Sequence, residues 1–277
     1  MDESFIDLIA SIKDLDYNQL WILILLGFMR FAPICAISPF LGAKLIPAMA
    51  RVALALSLTI VFLPTILLHS TLNFDQMKSW MLWLSLKEIM IGFLLGYLSS
   101  VPFFIAQSSG IFIDYARGAS SMMGQDATTQ TQVSSIGIMM NYYLIVLFFS
   151  LGGPLLFFSA VGDSFEFLPV DGFLPAGFYD KNHTFWHQLT DLMNQIFTVS
   201  LQISAPALLA ILMAESFLGI ANRLAPNVQI SFLGMPLKSL LGLTLMWAGW
   251  LVLTYKLGDY SISWIHGIDK LLHLMSR

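Results

Sequence analysis

The chain has 277 residues, of which 57% are hydrophobic and 11% charged, against about 45–50% and about 25% in soluble domains. One globular core cannot take up so much apolar surface, so an ordinary soluble fold is excluded. The net charge of −4 provides no basic face for nucleic acid, and the single cysteine, Cys35, excludes an internal disulfide framework and a cysteine-based zinc cluster.

In chain order, residues 2–16 carry Asp2, Glu3, Asp7, Asp14 and Asp16 against Lys13. This is the reverse of a signal-peptide leader, so the segment is expected to stay on the protein. Phe5, Leu8, Ile9, Ile12 and Leu15 repeat at helical spacing and predict a short amphipathic helix. Six apolar runs follow, at 19–42, 52–70, 80–106, 136–162, 196–221 and 232–257, each near the roughly 20 residues needed to cross a bilayer. Cys35 lies within the first and reads as a small buried hydrophobe. The longer connections are expected at 107–135 and 163–195. Basic residues divide almost evenly between the two sides of such a topology, so their count does not orient it; an outside N-terminus is the reading adopted.

These runs are poorly made for simple lipid spans. Pro33, Pro64, Pro102, Pro154 and Pro206 each lie inside one, and Gly152-Gly153-Pro154 interrupts the fourth. A proline inside a helix leaves a carbonyl without its donor, which hydrocarbon cannot satisfy, so protein or water must stand beside it. The runs also contain Arg30, Lys87, Glu88 and Glu215, each unfavourable by about 2.5–3.5 kcal/mol at a bilayer centre. Many of these helices are therefore expected to face protein.

Three constellations stand out. Glu88, Gly92 and Gly96 share one face of the third helix, and the G-x-x-x-G pair admits a close neighbouring helix. Lys87 is adjacent to Glu88, but neighbouring side chains diverge, so Glu88 is expected to find its partner elsewhere, including on another subunit. Glu215, Gly219 and Arg223 repeat the spacing on the fifth helix, where an ion-pair network is favoured over a proton relay. The segment 107–133 mixes Gly110, Gly118 and Gly124 with an apolar island of Ile111, Phe112 and Ile113 and the pair Met122-Met123. Glycine permits unusual backbone angles and methionine fills irregular gaps. The segment reads either as a plain connection or as a flexible plug over 110–124, with Asp114 and Arg117 able to pair if it is helical. Phosphate-loop, nucleophile-elbow and zinc-helix motifs are absent, so no catalytic residue, metal site or cofactor is expected.

From Arg223 the sequence runs RLAPNVQISFLGMPLKSLLGL, which resembles the signature of the FliR/SctT family. Arg223, Pro226, Met235, Pro236, Leu237 and Lys238 fit it directly. Asn227 stands where the family usually has Gln, and Gln229 where it usually has Asn. Arg30 with Pro39, Pro47 with Arg51, the Glu88-Gly92-Gly96 element, Gly110-Ile-Phe-Ile-Asp114 with Gly118, Gly152-Gly153, and Ser164-Phe165 with Pro169 are similar to further family landmarks. Asp126-Ala127 departs from the family's usual Asp-Pro. The GMPLKS form looks closer to the injectisome branch, SctT, than to the flagellar one.

The resemblance implies an all-α, integral-membrane protein of helical hairpins with broken helices. A FliP-like part (residues 1–189, including the plug-like segment 107–133) would be fused to a FliQ-like hairpin (190–277). It implies a non-enzymatic core subunit of the type III secretion export gate. R-type (FliP-like) and S-type (FliQ-like) subunits would be its partners, with a U-type (FlhB-like) subunit and inner rod and needle proteins nearby. Unfolded secreted proteins would pass through the gate across the bacterial inner membrane, with much of the assembly displaced towards the periplasm and the rest against lipid. Arg30, Glu88, Gly92, Gly96, Glu215, Gly219, Arg223, Pro226, Asn227, Pro236 and Lys238 would serve packing and buried pairing. A six-helix small-solute transporter is the alternative, since midplane sites also produce broken helices and buried charges; a plain membrane scaffold is a third reading.

Overall fold

Sequence runs this apolar form helices because the backbone must satisfy its own hydrogen bonds where water is absent. The computed structural model describes residues 17–43, 46–70, 74–118, 134–172, 184–224 and 230–275. Among them it contains α-helices, one 3-10 turn and no strand. The helices are α1 (Tyr17–Ile37), α2 (Ala48–His69), α3 (Phe74–Ala116), α4 (Ser135–Ser150), α5 (Gly153–Phe167), α6 (Thr184–Leu224), α7 (Ile230–Ala248) and α8 (Trp250–Met275). Four stretches, Tyr17–Ile37, Ala48–His69, Ser79–Ala116 and Thr190–Leu224, are long and apolar enough to cross a membrane, and up to six if the broken pairs α4–α5 and α7–α8 each count as one. The chain is a multi-pass, all-helical membrane protein.

The prolines divide into two kinds. Pro33, Pro64, Pro102, Pro206 and Pro236 lie inside helices. Pro154 instead occupies the first turn of α5, behind Gly152 at φ 74°. Proline is favoured there because the first-turn N–H has no helical partner anyway, and glycine accepts the left-handed angle without a Cβ clash. The expected fourth span is therefore two helices. The last run, expected to end at 257, breaks at Gly249 and continues in α8 to Met275. Residues 107–116, expected in a connection, continue α3, and helix also covers 163–167 and 184–195.

The chain forms two compact units. The first comprises Met1–Ser100, Gly152–Leu189 and Ser263–Arg277. In it α1 packs against α2 so closely that a Cβ on Gly27 would stand 2.8 Å from Ile66. Phe31 meets Phe62 (centroids 5.2 Å apart) and Phe165 (5.9 Å) to form its aromatic core. A 3-10 turn, Pro39–Leu41, closes on Gly42 at φ 77° and leads towards α2, and Phe40 packs edge-on against Phe157 at 5.3 Å. Cys35 is buried and unbridged.

The second unit comprises Val101–Leu151 and Thr190–Ile262. Phe103 meets Phe148 edge-on at 5.5 Å, and Tyr143 lies 4.4 Å from Trp250, ring to ring. In this unit α3 and α4 cross closely, backbone to backbone: a Cβ on Gly110 would fall 2.6 Å from the backbone of Gly137.

Candidate functional site

The first unit holds a buried charge cluster. Arg30 and Glu88 are 0% exposed and face each other as a fork. Arg30 Nε donates to one carboxyl oxygen of Glu88 and Nη2 to the other at 2.9 Å. Nη1 donates to the carbonyl and hydroxyl oxygens of Ser164, both at 3.1 Å, and Nη2 also to the carbonyl of Leu168 at 2.7 Å. A guanidinium has five N–H donors in a fixed plane, and here each has an acceptor. The Phe165 ring lies 4.2 Å from Arg30 Cζ, a cation–π contact strengthened by the absence of water.

Lys87 completes the cluster. Its ammonium is 2.8 Å from Glu88 Oε1 and donates to the carbonyls of Pro169 (2.6 Å), Val170 (3.2 Å) and Gly172 (2.8 Å). Lys87 is thus a partner of Glu88 after all. Adjacent Cβ atoms diverge, but four methylenes on lysine allow its charge to swing back. Asp171, 0% exposed, lies within electrostatic reach of Lys87. Together the cations pin the turn 168–172 against α1 and α3. Glu88 finds its partners within the chain, Arg30 from α1 and Lys87 beside it. Ser164 and Pro169 carry sequence landmarks, but nothing in the sequence links them to Arg30.

Gly92 and Gly96 form the floor of this site. A Cβ on Gly92 would stand 2.1 Å from the carbonyl oxygen of Arg30, and one on Gly96 3.2 Å from Ile34 Cα. The glycine face of α3 therefore receives α1 of the same chain.

A second polar centre lies where α3 meets α4. Asp114 is 1% exposed. Its Oδ2 accepts from Ser134 Oγ (2.6 Å) and Ile136 N–H (3.0 Å), while Oδ1 accepts from Arg117 Nε (2.7 Å) and pairs with Nη2 (2.6 Å). Ser134 in turn caps α4 by accepting from Gly137 N–H at 2.9 Å. Arg117 Nη1 reaches Ser239 Oγ on α7 at 3.0 Å. The Asp114–Arg117 pair forms as its spacing predicts, with Asp114 buried. Ile111, Phe112 and Ile113 lie in α3, and Gly118 follows it at φ 79°; Met122, Met123 and Gly124 fall outside the described residues.

The third constellation separates. Glu215 pairs with Lys238 Nζ of α7 at 2.6 Å and is 57% exposed; its partner is not the Arg223 of its own helix. A Cβ on Gly219 would meet nothing within 4 Å, and Arg223 is exposed at the end of α6. Pro236 lies within α7; Pro226 and Asn227 fall outside the described residues. In the single chain Arg30, Lys87 and Glu88 are buried, while the carboxylate of Glu215 is exposed. The sites the structure brings together are built on structural ion pairs and backbone carbonyls.

Comparison with known proteins decides between the readings. Residues 21–261 match the family described as bacterial export proteins, family 1. The chain belongs to this family. It is similar to Yop proteins translocation protein T of Yersinia pestis, 30% identical over 211 residues, 76% of this chain and 78% of the relative. It is also similar to secretion system apparatus protein SsaT of Salmonella typhimurium, 28% identical over 226 residues, 81% and 85% of the two chains. Flagellar biosynthetic protein FliR of Bacillus subtilis is 28% identical over 214 residues, 77% and 80%. The FliR/SctT resemblance read from Arg223–Leu243 is correct, and this export family consists of apparatus components, not enzymes.

Proposed function

We propose that the chain is the T-type subunit of a type III export gate in the bacterial inner membrane. It assembles with R-type (FliP-like) and S-type (FliQ-like) subunits into a channel for unfolded proteins, beside a U-type (FlhB-like) subunit and below the inner rod and needle. The observation that carries this reading is the export-family match across residues 21–261. The buried cluster supports it from the physical side. Arg30, Lys87 and Glu88 are engaged with each other and with carbonyls, as a scaffold requires. A midplane solute site, which the small-solute transporter reading needs, would have its charges turned towards a cavity.

Within this reading residues 1–189 form the FliP-like part and 190–277 the FliQ-like part, and the assembled gate lies partly on the periplasmic side. In the gate segment 110–124 residues 110–116 are the end of α3, a helical root held by Asp114 and Arg117. Deleting 112–122 would tear out that root, so the informative deletion begins after Gly118. Removing 119–124 is expected to leave the complex assembled but the membrane leaky to small molecules in a strain lacking the needle. An assembled deletion complex as tight as wild type would place the seal in a partner.

Co-expression with R- and S-type subunits tests the assembly itself. One large detergent-stable complex is expected, and loss of the chain should stop type III export while secreted proteins accumulate inside the cell. A chain that is well behaved alone and transports a small solute would establish the alternative.

A further inference from the structure

The packing of α3 on α1 fixes their register. Gly92 meets Arg30 and Gly96 meets Ile34, the same offset of 62 residues in both pairs, so the two helices run parallel and in step. Ser38 and Ser99, joined by a 2.7 Å hydrogen bond, keep nearly the same offset. Carried towards the N-terminal ends, this register sets Trp83 level with Trp21 and Trp80 within one residue of the level of Tyr17. All four are solvent-facing in the chain: Tyr17 is 84% exposed, Trp21 68%, Trp83 60% and Trp80 50%.

Below this level the outward surface changes character. Between Tyr17 and Ile37 the only charged residue is Arg30, and between Ser79 and Ser100 the only ones are Lys87 and Glu88; all three are buried. The outward side chains there include Leu86 and Phe93. Arg51, by contrast, sits near the other end of the hairpin, donating to the carbonyl of Ala43. Tyr17–Ile37 has 21 residues, roughly 30 Å at 1.5 Å per residue, the thickness of a bilayer's hydrocarbon core.

We infer that Tyr17, Trp21, Trp80 and Trp83 form an interfacial belt that seats this end of the first unit at the lipid headgroup boundary. Indole and phenol rings prefer that boundary because an apolar body and a polar N–H or O–H are satisfied there together. Two independent features select lipid over a partner protein as the occupant. The aromatics share one level on two separate helices, and the charges beneath them are all turned inward, which is the arrangement hydrocarbon demands. The inference depends on membrane insertion alone and stands whether or not the chain works in export.

Spin labels at Trp21→Cys, Trp83→Cys and Phe93→Cys, introduced singly into the chain in its native complex and membrane, test it. The one native thiol, Cys35, is buried, and unsubstituted protein controls for its labelling. Collision with oxygen and with a water-soluble nickel chelate reports depth. Labels at 21 and 83 should give equal depths close to the headgroups. The label at 93 should lie about 15 Å deeper, from ten residues of helical rise. Belt labels shielded from both reagents would mean that protein covers them, and belt labels open mainly to the chelate would mean that water does; either result overturns the inference. As a second measurement free of thiol chemistry, the triple variant W21F/W80F/W83F should show reduced tryptophan quenching by lipids brominated near the headgroup. Unchanged quenching would also overturn it.

Discussion

The indole N–H of Trp264 donates to the carbonyl of Leu98 at 2.8 Å, and Leu98 is the residue whose helical donor Pro102 removes. A proline lacks the N–H that would bond the carbonyl four residues earlier. A side chain 166 residues away in the chain replaces it, so α3 runs through its proline without an orphaned acceptor at that carbonyl. Trp264→Phe keeps the ring and deletes the donor. It should lower stability by about 1–3 kcal/mol, the penalty for an unsatisfied buried acceptor. In a Pro102→Ala background the backbone N–H returns, and the same change should matter much less. Thermal melting of the four detergent-solubilised proteins measures the coupling, and additive effects would show that the two residues act separately.

Two glycines with similar sequence settings should respond oppositely. Gly92→Ala places a methyl 2.1 Å from a backbone oxygen, which cannot move aside as a flexible side chain could. The α1–α3 contact should open, and the chain should fail to accumulate in membranes. Gly219→Ala meets nothing within 4 Å and gains helix propensity of up to about 1 kcal/mol, so the isolated chain should fold as well or better. Membrane yield and melting temperature compare them directly. If Gly219→Ala nevertheless blocks co-purification with R- and S-type subunits, that face belongs to a subunit contact.

The charge cluster should be more sensitive to a single loss than to its wholesale replacement. Glu88→Gln strands Arg30 and Lys87 as buried cations, and removing one member of such a set typically destabilises by about 3–5 kcal/mol. The quadruple change Arg30→Met, Lys87→Met, Glu88→Leu and Asp171→Asn removes both cations and both carboxyl groups of the cluster and should recover much of that loss. Membrane accumulation and detergent stability provide the comparison. Ion or proton flux altered by Glu88→Leu in a fully assembled complex would instead revive a relay.

At the second polar centre, Asp114→Ala removes the acceptor for Ser134, Ile136 N–H and Arg117 together. A loss of about 1–3 kcal/mol is expected from the stranded backbone donor alone. Lys238→Met, which breaks the half-exposed pair with Glu215, should change stability by less than about 1 kcal/mol. Hydrogen exchange in the first turn of α4 separates the two, rising for Asp114→Ala and remaining unchanged for Lys238→Met.

Much of this architecture is legible in the amino-acid order. Apolar runs mark the spans, the internal prolines announce carbonyls needing help, and Glu88-Gly92-Gly96 correctly marks a helix-receiving face. The donor for Leu98 is not legible, because no local pattern points from Pro102 to Trp264. The Lys87–Glu88 contact escapes a rule built on Cβ directions because the lysine stem is long enough to defeat it. Gln107-Ser108-Ser109-Gly110 reads as a helix end from propensity, which tertiary contact overrides. Ser109 Oγ turns back to the carbonyl of Ala106 at 2.8 Å, and Gly110 is the close approach to Gly137. Glu215 with Arg223 shows the converse: good spacing on one helix loses to Lys238 on the next.

Asp114 receives Arg117 on one oxygen and Ser134 on the other, and those residues flank the stretch 119–133 on either side. That stretch therefore leaves and returns to the fold at a single carboxylate. Closing a chain segment carries an entropy that grows only with the logarithm of its length, about 0.6 kcal/mol for each doubling. With Arg117 and Ser134 both fastened to Asp114, the end of α3 and the start of α4 are held by contacts of their own. A small tag inserted beyond Gly118 should therefore leave the helices on either side where they are.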